Sequence, residues 1–211
     1  MLNQYKQVKI GSITTSEIEI KDLIKAWVAI SIAFGIVIFY SPAIETGIYT
    51  SFIISGLTVG IGFLLHELGH KLVAQKYGCF AEFRAFDTFL ILAIAIAIFT
   101  RGSFVFAAPG AVIISGPVGI RRNGKISVAG PLVNLVLALL FLSILLLPPA
   151  GIMETIAIYG FLINSWLALF NMIPLGNLDG AKVLRWNKPI YALVVIISLG
   201  FMFLQNFFPL K

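Results

Sequence analysis

Hydrophobic positions in this chain run in blocks rather than recurring with a short period. Five blocks, at 23–40, 48–77, 128–147, 154–173 and 189–208, approach the roughly 20 apolar residues that a helix needs to cross a bilayer core. Each predicts a membrane-spanning helix. The second is long for one crossing, and its last part reads HELGHKLVAQKYG, polar groups that must face protein or water. A sixth run, 88–99, has only 12 residues and better suits a re-entrant or buried segment than a full crossing. Beyond Arg101-Gly102, the run FVFAAPGAVIISG places Pro109 and Gly110 between two β-prone pieces. That pattern predicts a hairpin, which is tolerated at membrane depth only if it is paired or lines a cavity. At the other end, residues 1–21 are polar. Alternation over 5–10 and 15–20, with Gly11 between, predicts two short strands.

The expected fold is an all-α polytopic membrane bundle of five to six transmembrane helices with a small membrane-associated β element. Composition agrees: of 211 residues, 59% are hydrophobic and 11% charged, too little polar surface for a soluble domain. The linkers are short and no repeat is evident. The chain therefore divides only into a polar N-terminal segment, 1–21, and a membrane-embedded domain, 22–211. The core of that domain lies at about 48–186, and the re-entrant or hairpin element occupies 87–118. The first 21 residues lack the apolar core of a signal peptide, so the first span should serve as the insertion signal.

A net charge of +6 raises the question of nucleic acid, but the basic residues form no patch with interleaved aromatics. In a membrane protein they report orientation instead. The connections 41–47 and 148–153 contain no Lys or Arg. If 87–118 makes no net crossing, the basic residues flanking the other helix ends all fall on one face. The orientation rule assigns that face to the cytoplasm. The expectation is a multi-pass protein of the cell membrane with a cytoplasmic N-terminus.

Chemistry concentrates in His66-Glu67-Leu68-Gly69-His70. On a helix, positions i and i+4 share a face, so both imidazoles can reach one ion, and Glu67 can address a water on it. A carboxylate so placed accepts a proton from that water and passes it to a leaving amine. The chain has only two histidines, and both are in this motif. The plainer reading is a pair of buried histidines bonded to helix neighbours. Against it, an ionisable group at membrane depth costs about 2.5–3.5 kcal/mol even on lenient scales, so such groups usually have a task.

Catalytic zinc takes three protein ligands and keeps a position open. With no third histidine and the single cysteine Cys79, the third ligand should be a carboxylate. The aspartates are Asp22, Asp87 and Asp179. Asp22 begins the first span and Asp87 lies at a membrane edge. Asp179 follows Pro174 and Gly176, which interrupt the helix and let the chain turn back toward the bundle. Under the favoured topology it reaches the same face as His66 and His70.

These residues resemble the site-2 protease family of intramembrane zinc metalloproteases. HELGH at 66–70 is similar to the family's zinc motif. Asn171-x-x-Pro174-x-x-x-Leu178-Asp179-Gly180 resembles its second motif, and Ala129-Gly130-Pro131-Leu132-Val133-Asn134 its Ala-Gly-Pro signature. The resemblance covers roughly 48–186. It implies one Zn2+ held by His66, His70 and Asp179, with Glu67 activating water and Asn171 positioning the substrate or the developing oxyanion. It implies a transmembrane protein as substrate, cut within the bilayer in regulated proteolysis. It also suggests that 103–118 lies along the substrate path, where it could add a strand to an unwound substrate.

Gly130, Pro131 and Asn134 read more readily as close helix packing and interhelical hydrogen bonding than as chemistry. Two other classes fit parts of the pattern. A zinc transporter or sensor would use the same ligands but needs further ligand stations, and no other histidine exists. A non-proteolytic scaffold of the same fold would not need Glu67. Oligomeric state leaves no mark on the sequence.

Overall fold

Ser16 Oγ accepts from the N–H of Glu19 and caps the first long helix, α1 (Glu17–Phe39). The computed structural model describes residues 7–11, 13–42, 46–105, 109–147 and 149–207. Ahead of α1, β1 (Gln7–Ile10) pairs antiparallel with β2 (Ile13–Ser16) about Gly11, whose φ is +60°. The expected N-terminal strand pair is therefore present, although Tyr5 and Lys6 lie outside the described residues. Its second strand stops at Ser16 because Ser-x-x-Glu starts a helix, which converts residues 17–20 from alternation to α1.

α2 (Ile48–Ser55), one π-helical turn (Gly56–Gly60) and α3 (Ile61–Lys76) form a continuous apolar stretch of 29 residues. The block that was long for one crossing is thus one helix with a π-turn inside it. The Trp27 indole N–H donates to the carbonyl of Gly56 at that turn, 3.1 Å away, tying it to α1. α5 (Ile120–Leu145) is central, packing against α3, α6 (Ile152–Asn171) and α7 (Asp179–Trp186). α8 (Lys188–Leu204) lies against α6 and α7 and ends in a short 3-10 turn.

Five helical stretches are long and apolar enough to cross a membrane, and together with the short strands they give the expected fold class. Ile91, Leu193, Ile196 and Phe203 are each more than half exposed, an arrangement suited to contact with lipid. The chain is a helical membrane protein.

The 87–118 region departs from expectation. The segment at 88–99 is a 13-residue helix, α4 (Asp87–Phe99), too short for a full crossing. The expected hairpin around Pro109-Gly110 does not form: Ser103–Val105 carry no strand, and 106–108 lie outside the described residues. Instead β4 (Gly110–Ser115) pairs antiparallel with β3 (Phe80–Ala85), across the intervening α4. A strand partner 29 positions away, Val112 opposite Phe83, leaves no local turn signal. Cys79, just before β3, is buried among Ala74, Ala81 and Ile126, a packing role.

Candidate metal centre and active site

α3 places His66 and His70 one turn apart on the face that meets α5, and both are buried. Their Nε2 atoms are 3.0 Å apart. Each Nδ1 is engaged on the opposite side of its ring. His70 Nδ1 lies 2.8 Å from the carbonyl oxygen of Ile126, which can only accept, so His70 carries its proton on Nδ1. His66 Nδ1 lies 2.5 Å from Asn134 Oδ1. The orientation of Asn134 is set by its Nδ2, which donates to Gly62 O at 3.2 Å and to Asn164 Oδ1 at 3.0 Å. Asn164 in turn donates to Gly160 O. His66 therefore also donates through Nδ1, and both Nε2 lone pairs point at one place.

The third group there is Asp179. Its Oδ2 is 3.1 Å from His70 Nε2 and 3.4 Å from His66 Nε2. The chain reaches this position through a tight turn after α6, with Gly176 at φ +54° and Pro174 ending the helix. Gly180 is needed for a different reason: a Cβ there would stand 2.1 Å from the carbonyl oxygen of Met172. Burial opposes ionisation of Asp179, but His70 and His66 beside it outweigh that and hold its carboxyl well below the usual carboxylate range.

With each Nδ1 proton fixed on the far side of its ring, the atoms that converge here are two Nε2 nitrogens and a carboxylate oxygen, a donor set in which a cation replaces any proton shared among them. Four ligands arranged tetrahedrally at zinc's bond lengths lie ~3.3 Å from one another. The three separations of 3.0, 3.1 and 3.4 Å fit that spacing. Gly130 provides a second test of fit. A Cβ at this position would lie 2.5 Å from both Nε2 atoms, so α5 keeps clear the space an ion would need. His66, His70 and Asp179 are also the set of ligand-type residues that could hold a metal among the described residues.

The sequence expectation for these three residues thus corresponds to one cluster. Asp22 and Asp87 are elsewhere, both paired with Lys25. Glu67 is buried and faces the sheet rather than α5, accepting the N–H of Val112 at 3.0 Å. Asn171 donates to the carbonyl of Leu167 in its own helix. Gly130 and Asn134 did more than the packing expected of them: one shapes the metal space and the other fixes an imidazole. Asn164 went unnoticed in the sequence, since an Asn in an apolar helix reads as a generic interhelical contact.

A buried His66, His70 and Asp179 set, with Glu67 next to His66 on a membrane-length helix, is the arrangement of a helical membrane zinc metalloprotease. The chain is 44% identical over 158 residues to "Putative zinc metalloprotease MJ0611" of Methanocaldococcus jannaschii, a match spanning 74% of this chain and 82% of that protein. It is 30% identical over 156 residues to "Putative zinc metalloprotease YwhC" of Bacillus subtilis, spanning 61% of this chain and 66% of the relative. "Zinc metalloprotease MJ0392" of Methanocaldococcus jannaschii is 29% identical over 126 residues, 59% of this chain and 31% of the relative. No family model and no solved structure matches the chain. The chain belongs to the family these relatives represent, the site-2 protease family of zinc metalloproteases.

Proposed function

We propose that this metalloprotease cuts peptide bonds within or near transmembrane segments of other membrane proteins. The observation that carries the reading is the place of the metal cluster. His66 stands ten residues before the end of the apolar stretch Ile48–Lys76, about 15 Å along the helix at 1.5 Å of rise per residue. A site set back that far within a membrane-length helix supports a membrane segment, rather than a soluble loop, as the substrate.

His66, His70 and Asp179 would hold one zinc ion per chain. When bound, zinc polarises the scissile carbonyl and makes water a nucleophile at neutral pH. Glu67 accepts the proton of the attacking water and returns it to the leaving amine. Asn134 and the Ile126 carbonyl keep both imidazoles in the tautomer that presents Nε2. Asn171, at the turn leading to Asp179, would steady the substrate or the developing oxyanion.

A peptide bond inside a helix is shielded, so the substrate must unwind. The outer edge of β4 offers it a partner. Phe83 and Val112 face each other without exchanging hydrogen bonds, since Phe83 N–H donates to Glu19 Oε1 and Val112 N–H to Glu67 Oε2. By the alternation of an antiparallel ladder, the polar backbone groups of Val112 and Ile114 therefore point away from β3, the Val112 N–H being held by Glu67. An extended substrate added there would pair with the Val112 carbonyl and with Ile114, and meet Glu67 at the Val112 N–H. Proline or charge substitutions at 112–114 that left cleavage and substrate binding unchanged would remove this element from the mechanism.

The basic residues at helix ends favour a multi-pass protein of the cell membrane with its N-terminus and site toward the cytoplasm. Release of a membrane-tethered regulator is the corresponding biological role. The test uses zinc-loaded protein in liposomes with a single-span protein substrate, the cut mapped by mass spectrometry. Cleavage inside the apolar segment is expected. Cleavage confined to soluble loops would overturn the proposal.

A further inference from the structure

Beside Glu67 lies a cavity of about 220 Å³ between α1, α3 and the β3–β4 sheet. Its walls are Leu23, Leu64, Leu65, Leu68, Phe83 and Val112. Glu67 and Val112, the pair joined by the backbone hydrogen bond, border both this cavity and the outer edge of β4. We infer that the cavity is a specificity subsite that takes a large apolar side chain from one of the two residues flanking the scissile bond.

Three observations support an apolar occupant. The cavity's other charged groups, Glu19 and Lys71, are satisfied by each other and by the protein. Lys71 Nζ reaches Glu19 Oε2, Thr15 Oγ1 donates to the same oxygen, and Phe83 N–H donates to Oε1. Both charged side chains are almost fully covered, so the lining presented to an occupant is nearly all apolar, whereas a water store needs 2–4 polar partners per water. Size is the second point. A cavity of roughly 150 Å³ lined by aliphatic and aromatic groups stays dry and admits benzene, so this one has room for a Leu, Met or Phe side chain. Third, a strand lying along Val112 presents alternate side chains to either side of the sheet. One set of them then faces the wall that carries Phe83 and Leu64.

The inference rests on the proteolytic reading and specifies its substrate. The experiment compares single-span substrates carrying Ala, Leu, Phe or Asp at each residue flanking the mapped cut. It uses wild type, Leu23→Phe and Leu64→Phe, which fill the cavity from two helices, and Leu64→Ala, which enlarges it. Zinc content reports whether each variant is folded. A dipeptide hydroxamate carrying Leu or Ala gives a second readout, its affinity for zinc-loaded protein measured by calorimetry.

Wild type should favour Leu over Ala at one flanking position by about tenfold or more in kcat/KM, the lower range for an apolar pocket. Both filling variants should reduce that ratio toward one while keeping zinc, and Leu64→Ala should move the preference toward Phe. The hydroxamate affinities should change in the same order. If the filling variants do not fold, the shift in Leu64→Ala decides. Cleavage indifferent to the flanking residues, with hydroxamate affinities equally indifferent, overturns the subsite alone. No cleavage of any substrate by zinc-loaded wild type is failure of the proteolytic reading, and the hydroxamate series then decides the subsite by itself.

Discussion

The two sides of α3 are built to different standards. On the side facing α5, a hydrogen bond fixes each imidazole, and the network continues from Asn134 through Asn164 to Gly160. On the side facing the sheet, Glu67 is held by one backbone N–H and borders a cavity. The difference follows from what each side must do. A metal site needs ligands pinned in one geometry, whereas a base must shift its proton and leave room for substrate. Changes on the first side should therefore appear in zinc affinity, and changes on the second in turnover with zinc retained.

Gly130→Ala gives the largest effect expected on the metal side. The added methyl falls 2.5 Å from both Nε2 atoms, so zinc is lost and cleavage with it, while the helical content measured by circular dichroism stays. Full zinc occupancy in this variant would show that the ion lies elsewhere. Asn134→Ala should lower zinc affinity by roughly 10–100-fold, because His66 loses the partner that fixes its tautomer. A competition titration with a chelator reads it, and unchanged affinity would reduce Asn134 to packing.

Much of the metal side was legible in the sequence because its residue types are scarce. Two histidines at helical spacing and three aspartates left few combinations, and Pro174 with Gly176 signalled a turn able to bring Asp179 back. Asn134 and Gly130 were named, but their work depends on how closely α5 approaches α3, which no local pattern records. The sheet side was much less legible. Gly110–Ser115 showed its β character, yet its partner, Phe80–Ala85, lies across α4, and local turn logic paired it with the wrong neighbour. The cavity beside Glu67 is lined by leucines that look, in sequence, like any membrane helix.

Val112→Pro probes the sheet side. The N–H it removes points away from β3, so the ladder survives and the hydrogen bond to Glu67 does not. Cleavage should fall by roughly tenfold, the lower range for a bond to a charged group, with zinc content unchanged. A loss of zinc instead would mean that the two sides of α3 are not independent. Asn171→Ala should have the smallest effect, a rise in KM of up to about fivefold for one neutral hydrogen bond. No change would remove Asn171 from the substrate contacts.

Glu67→Gln joins the two sides in one comparison, since it keeps the shape of the side chain and removes only its ability to take a proton. Zinc content and cleavage of a single-span substrate are measured together for wild type and variant, purified in detergent. Zinc should stay near the wild-type content while cleavage falls by at least about a hundredfold, the lower bound for loss of a general base. Equal cleavage by the two proteins would contradict the role given to Glu67, whatever the zinc content.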